Sequence, residues 1–443
     1  MHLHSSRFVL TGLCALRHTA RFMSDHLPKP SVSLWRDAAF LRLFIANTLS
    51  ALGSAVSLMA LPLTAVGMLH ANASQMGVLA ACELLPFIIV GLPAGVWIDR
   101  ASKKRLTVLF NFVAAFGLGL VPLCWLLGCL QIEVLYAVGF VASTCEAIGG
   151  SASQVLVTLM FGRERLVEAN SKLSVAGSVS QICGPALGAL LVAAFGAPLA
   201  VTADALSFVL AGVLIGRIAL QEKAGARSRA SMLAQIREGL KLVWHTPMLR
   251  GLIVVVAVWI LLSDSFKALY VLHASRNLEL GAAAIGLINM LGALGGLLGA
   301  PLADRLSQRH GMRLTLLGGV ALAGLGYLAY ALPQADWPLA SLWAGLALFV
   351  YNLGGTVYVV NYLSLRLAVT PDLMLGRMVT SMRFATILPG PFATVAIGHS
   401  ADRFGLPPVF AGLGVACIGV ALLGVFCLPR QWSAAGPGIR TQA

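Results

Sequence analysis

The chain has 443 residues, 58% of them hydrophobic and 11% charged, with a formal net charge of +14. Its mean hydropathy is +0.86. A soluble globule needs a polar skin, for which an average domain carries about 25% charged residues, so a soluble enzyme or soluble binding domain is excluded and lipid must be the solvent.

In chain order, residues 1–37 come first. Their apolar stretch FVLTGLCAL is followed by Arg17 and Arg21 with no small-residue cleavage site, which argues against a secretory signal. They read as a disordered cytoplasmic tail, or as sequence ahead of a true start at Met23. Beyond them, apolar runs of about twenty residues, the length that crosses a bilayer core as a helix, start near Phe40, Gln75, Leu106, Val134, Ser174, Leu199, Gly251, Ala282, Leu314, Leu339, Val379 and Pro408. Strands would alternate polar and apolar residues over about ten positions, and these runs do not. The expected fold is an all-α membrane protein with twelve transmembrane spans. Residues 38–216 and 251–428 form two six-helix bundles, 217–250 a cytoplasmic linker and 429–443 a cytoplasmic tail. In the linker, Leu233, Ile236, Leu240 and Val243 share one face, as in a surface-lying amphipathic helix.

Polar residues inside the spans mark candidate sites, because an ionisable side chain at the bilayer centre costs about 2.5–3.5 kcal/mol on insertion scales. Span 1 carries Asn47, Ser50, Ser54 and Ser57 on one face. Glu83 in span 2 suits proton carrying or a structural hydrogen bond equally. Glu146 in span 4 shares a face with Gly139, Ala142, Ser143, Gly149, Gly150 and Ser153, suited to a cavity wall or a tight helix contact. Span 5 holds Gly184, Pro185 and Gly188, which let a neighbouring backbone approach and kink the span. Span 11 repeats the device with Pro389, Gly390 and Pro391. Asp204 in span 6 reads as a cap or helix contact. Asp264 and Lys267, three apart in span 7, can neutralise each other. Span 10 clusters Tyr351, Asn352, Tyr358, Asn361 and Tyr362, which suit a pocket for amphipathic molecules or, alternatively, interhelical hydrogen bonding. Arg383 in span 11 suits an anionic cargo or a carboxylate partner. His70, His273 and His399 read as interfacial residues near outer ends, and no metal site is expected. The cysteines form no CxxC pair and read as packing residues.

With the N-terminus taken as cytoplasmic, the inner segments hold 27 of the 31 Lys and Arg residues and the outer loops hold only Arg276 and Arg403. That asymmetry places both ends in the cytoplasm. It also accounts for the net charge as topology, so no nucleic-acid partner is expected.

The chain repeats itself. DRASKKRLTVL from Asp99 returns as DRLSQRHGMRLTLL from Asp304, 205 residues later, and Gly184 of GPALG and Gly390 of GPFAT lie 206 apart. Such near-identical offsets indicate a duplicated six-helix unit. A smaller echo, GHSADR at the end of span 11, repeats the Gly-x-x-x-Asp-Arg of GVWIDR at the end of span 2. Asp402 falls at an outer end where Asp304 falls at an inner one, as an inverted three-plus-three repeat within one half gives.

Two six-helix halves with Gly95, Asp99, Arg100, Lys103 and Lys104 after span 2 resemble the major facilitator superfamily and its cytoplasmic loop signature. The stretches RLVEANSKLSVAGSVSQICGPALGALL and TPDLMLGRM resemble its bacterial branch of enterobactin exporters and macrolide efflux pumps. The resemblance covers residues 38–428. The loop departs from the pattern at Ser102 and Ala300, and Cys145 stands near where many proton-coupled members carry Arg. The resemblance implies a cytoplasmic latch in which Asp99 meets the start of span 11 near Gly376 and Arg377, with Asp304 and Arg305 as the second copy of the gate. The plain alternative is a positive-inside anchor.

The expected function is a secondary transporter of the bacterial cytoplasmic membrane that exports a small amphipathic compound, a drug or siderophore, against proton entry by alternating access. Glu146 and Glu83 are its candidate proton sites. The alternatives are an uptake symporter or lipid transporter of the same fold, or a non-transporting sensor. No HExxH, GxSxG or P-loop pattern occurs, so neither an enzyme nor direct use of ATP is expected. No cofactor is expected, the energy source being a proton gradient. The expected partners are the cargo and membrane lipids, and the expected state is a monomer.

Overall fold

A computed structural model describes residues 34–220, 232–370 and 374–429. Residues Met1–Arg42 group as one compact unit and Leu43–Ala443 as another. In the first, a 3-10 turn over Leu34–Arg36 precedes Asp37, whose carboxylate accepts the Ala39 amide at 2.9 Å and so caps the following helix.

The second unit is helical, and no strand occurs among the described residues. In lipid each segment must satisfy its own backbone polar groups, which helices do alone. Helix α1 is Ala38–Gly67. Span 2 is two helices, α2 (Ala73–Ile89) and α3 (Gly91–Arg100). Span 3 is α4 (Lys103–Leu126), its N-terminus capped by Ser102. Span 4 opens with α5 (Ile132–Cys145), passes through a π-helical turn at Glu146–Gly150 and continues into α6 (Ser151–Phe195), which also contains span 5. The connection between spans 4 and 5 is thus helical rather than a loop, supported by an ion pair between Glu168 and Lys172 one turn apart. Helix α7 (Ala197–Gly216) is span 6, and α8 (Met232–His245) lies in the linker. Spans 7 to 10 are α9 (Pro247–Arg276), α10 (Ala282–His310), α11 (Met312–Tyr330) and α12 (Ala340–Ala368). Span 11 is broken like span 2, into α13 (Leu375–Ile387) and α14 (Gly390–Phe404), and α15 (Leu406–Cys427) is span 12.

Ten helical segments are long and apolar enough to cross a membrane, and α2 is a shorter apolar one. With spans 2 and 11 each built from two pieces, these make the twelve-span, two-bundle architecture read from the sequence. Single glycines turn the chain between helices at equivalent places in the halves. Gly196 (φ +84°) follows α6 and Gly405 (φ +86°) follows α14, a backbone region that side chains with a Cβ rarely occupy.

The predicted hinges divide. Span 11 does break beside Gly390 and Pro391, whereas span 5 stays helical through Gly184, Pro185 and Gly188. There the glycines serve close packing instead. A Cβ on Gly184 would lie 2.3 Å from that of Ala55, and one on Gly188 3.1 Å from the Val56 Cα. In the linker, α8 packs on α13 and α9. Val243 is buried and Leu240 largely exposed, while Leu233 and Ile236 lie outside the described side chains.

Candidate functional site

Two cavities adjoin in the bundle. The central one, about 580 Å³, is walled by both halves. From the first half come Ser54, Ser57, Glu83, Glu146 and Asp204, set on α1, α2, the π turn and α7. From the second come Asp264, Phe266, Lys267, Tyr270, Asn289, Tyr351 and Asn352. Leu58, Leu61, Pro62, Leu79, Leu84 and Phe87 give it a largely apolar lining. The second cavity, about 760 Å³, lies within the first half and is more polar than the central one, lined by Asn47, Ser50, Ser54, Thr107, Asn111, Gln154, Thr158, Asn170 and Ser174 among others. Ser54, Glu146 and Phe208 belong to both walls.

The charged groups of the central cavity are unequally supported. Lys267 donates to Asp264 at 3.2 Å, the neutralising pair expected from their spacing. Glu146 is exposed to the cavities at the π turn, a local widening that occurs often at functional sites. Gly150 leaves room for it, since a Cβ there would come 2.6 Å from Glu146 Oε1. Glu83 is half-buried against Gly139. Asp204 is 2% exposed, beside serine hydroxyls. Among the described residues none of these three carboxylates makes an ion pair.

Other predicted residues fall elsewhere. Tyr351 and Asn352 line the central cavity, and the Tyr351 hydroxyl is 2.8 Å from Ser263 Oγ. Tyr358 and Asn361, about two and about two and a half turns further along α12, line neither cavity. Tyr358 is 2% exposed in a column with Trp259 and Tyr362, capped by Arg366 over the Tyr362 ring, and Asn361 donates its amide to its own helix at Val357 O. Both are packing residues because the inward face of α12 turns from the cavity toward α9 and α11. Arg383 is exposed and lines neither cavity. His273 is not interfacial but fully buried against Tyr330 and Phe410.

Of the cytoplasmic gate, the side chains of Gly95, Asp99 and Arg377 lie outside the described residues. Arg100 is exposed at the end of α3, and Lys103 and Lys104 open α4. Asp304 and Arg305 are exposed on α10, where Asp304 accepts from Gln308 of the same helix at 3.0 Å.

Sequence reasoning missed two features. Tyr270 donates to Asn289 at 3.1 Å, joining α9 to α10 beside Met59, and an amide alone in apolar α10 was the available signal. The second is a closure at the end away from the basic loops. There the Asp402 carboxylate accepts the amides of Ala73 and Ser74, each at 2.9 Å, and so caps the N-terminus of α2 from the C-terminus of α14. The two helices touch at backbone distance, since a Cβ on Gly77 would lie 2.4 Å from Thr394 O and one on Gly398 2.5 Å from Ala73 O. Alongside, a Cβ on Gly286 of α10 would lie 2.2 Å from that of Ala189 on α6. The echo of GVWIDR in GHSADR was the visible trace of this contact.

Partial burial of the Asp402 carboxyl works to raise its pKa. The hydrogen bonds from Ser74 and Ala73, with His399 nearby, outweigh this and hold it below the usual carboxylate value.

The chain resembles known transporters over nearly its whole length. It is 27% identical to the multidrug efflux pump Tap of Mycolicibacterium fortuitum over 411 residues, covering 89% of this chain and 96% of that one. It is 25% identical to the enterobactin exporter EntS of Escherichia coli O1:K1 / APEC, covering 90% and 95%. A crystal structure of the nucleoside transporter NupG superimposes with a TM-score of 0.74 at 11% identity, covering 88% of this chain and 98% of that one, a likeness of fold. The sequence description of the Major Facilitator Superfamily matches residues 43–393, and with two bundles around a shared cavity the chain belongs to that superfamily, as a multi-pass membrane transporter of small molecules and not an enzyme.

Proposed function

We propose that the protein is an exporter of the bacterial inner membrane that moves a small amphipathic compound, a drug or siderophore, outward in exchange for protons, with both termini in the cytoplasm. The observation that carries this reading is the central cavity, shared by both halves, whose apolar wall holds carboxylates without cationic partners beside the phenol and amide of Tyr351 and Asn352. Apolar surface gives such a cargo area, and the polar groups orient it. That Tap is a multidrug efflux pump and EntS an enterobactin exporter supports the outward direction.

The α2 and α14 contact supports alternation, with Asp402 holding the outer end in this state. In the opposite state Asp99 takes the corresponding place at the start of α13, so the span 2 and span 11 pair carries one latch at each end. Binding of cargo or proton shifts the balance only by its difference in affinity for the two states.

Everted vesicles test the reading. With an imposed inward-acid gradient, a fluorescent amphipathic cation such as ethidium should accumulate, and the accumulation should collapse with a protonophore. Gradient-driven accumulation found only in right-side-out vesicles overturns export in favour of uptake, and saturable dye binding without flux in either orientation overturns transport of this class.

A further inference from the structure

We propose that Asp204 of α7, with the hydroxyls of Ser54, Ser57 and Ser207, is the site where the coupling proton is bound and released. The inference rests on the proton-driven export read above and moves the coupling role from Glu146 and Glu83 to a residue whose sequence position suggested only a helix contact.

Asp204 is 2% exposed, yet it belongs to the wall of the central cavity. Ser207 donates to its Oδ1 at 3.3 Å and to its backbone carbonyl at 2.8 Å. Ser54 and Ser57 of α1 stand beside the same carboxyl. Ser54 is exposed and lines both cavities, whereas Ser57 is 6% exposed and its Oγ makes no hydrogen bond of good geometry. Helices α1, α4 and α6 surround α7, and among the described residues no charged side chain on them acts on the carboxyl. An ionised carboxyl so enclosed has serine hydroxyls beside it but, among the described residues, no cation to balance it, so a proton is the charge the site can take up. The route is short. Ser54 stands between the carboxyl and the polar cavity of the first half, whose hydroxyl and amide lining suits a file of water.

Close approach is built in. A Cβ on Gly53 of α1 would lie 2.6 Å from Asp204 Oδ1 and 2.3 Å from Ser207 Oγ. Glu146, in contrast, is exposed and lines both cavities. Asp264 has Lys267.

The full-length protein in lipid, titrated by infrared difference spectroscopy, reads the site without any cargo. The C=O stretch of a protonated carboxyl should appear as pH falls, vanish in Asp204→Asn and persist in Glu146→Gln and Glu83→Gln. A band lost in either glutamate variant and kept in Asp204→Asn overturns the assignment. In everted vesicles Asp204→Asn should lower gradient-driven ethidium accumulation at least tenfold while dye counterflow without a gradient survives. Asp204→Glu should restore part of the accumulation with a displaced pH profile. Accumulation driven by sodium and indifferent to the proton gradient also overturns it. Should Asp204→Asn fail to fold, Ser207→Ala carries the test, because loss of the hydroxyl that donates to Oδ1 must move the midpoint of the band, and an unmoved midpoint overturns the proposal. The infrared arm can fail while export stands, and export can fail while the band titrates as expected.

Discussion

Asp402 and Asp99 carry the same sequence signal and meet the same electrostatic problem. Each ends a helix whose exposed carbonyls disfavour a carboxylate by a few tenths to about 1 kcal/mol, and the N-terminus of another helix reverses that cost. For Asp402 the partner is α2, through the amides of Ala73 and Ser74. Replacing it by Asn removes the charge and one strong acceptor, so Asp402→Asn should raise labelling of an outer-cavity cysteine about threefold to fivefold, as a loss of roughly 1 kcal/mol implies. Because the folded-state pKa is depressed, the stabilisation is fully present above the unfolded value of about 3.9 and fades as pH falls through the lower folded value. Labelling at the outer end should therefore be flat through Asp402 across neutral pH and rise only in strong acid, and a rise between pH 8 and 6 would point to another group. On α12, composition alone could not separate Tyr351 and Asn352, in the cavity wall, from Tyr358 and Asn361, in the packed column. Asn352→Ala should alter which dyes are carried at little cost in stability, while Asn361→Ala should leave dye preference unchanged and lower the thermal midpoint of the detergent-solubilised protein.

At the level of elements, Gly and Pro were readable as devices but not as which device. Gly184 and Gly390 stand in equivalent stretches, GPALG and GPFAT, and the structure gives them different tasks. Gly184 meets Ala55 at a distance no Cβ tolerates, in a helix that does not break, so Gly184→Ala must push α1 and α6 apart and should cost about 1–3 kcal/mol, the overpacking range. Gly390 opens α14 just after the break, and a Cβ there would meet only Leu84 Cδ1 at 3.5 Å, an ordinary contact. Gly390→Ala should therefore fall within about 0.5 kcal/mol of the parent, as substitutions away from such crowding do. Thermal unfolding of the two variants side by side checks the contrast. The breaks in spans 2 and 11 fall in the two helices that meet through Asp402, between α2 and α3 and between α13 and α14.

For the whole molecule, span count, duplication and family were legible because each is a property of the chain in one dimension. Runs of about twenty apolar residues, the siting of Lys and Arg, and two segments repeating some 205 residues apart need no knowledge of packing. The proposed pair of latches extends that symmetry to a measurable balance. Asp99→Asn should favour the inward-open state's cavity and Asp402→Asn the outward-open one, and the double variant should return near the parent distribution, since the sites lie at opposite ends of one helix pair and should add. Distance distributions between spin labels at the two ends would reveal the shifts, and one sign shared by both single variants would break the scheme. The sequence by itself determined that the chain lives in lipid, in two related bundles with its basic loops on one face, because hydropathy and charge act on each segment independently. Only the tertiary structure decided which polar residues look into a cavity, which carboxylate lacks a counter-charge, and that Asp402 closes on α2, because those depend on helix rotation and on neighbours far away in the chain, to which a residue's own segment carries no address.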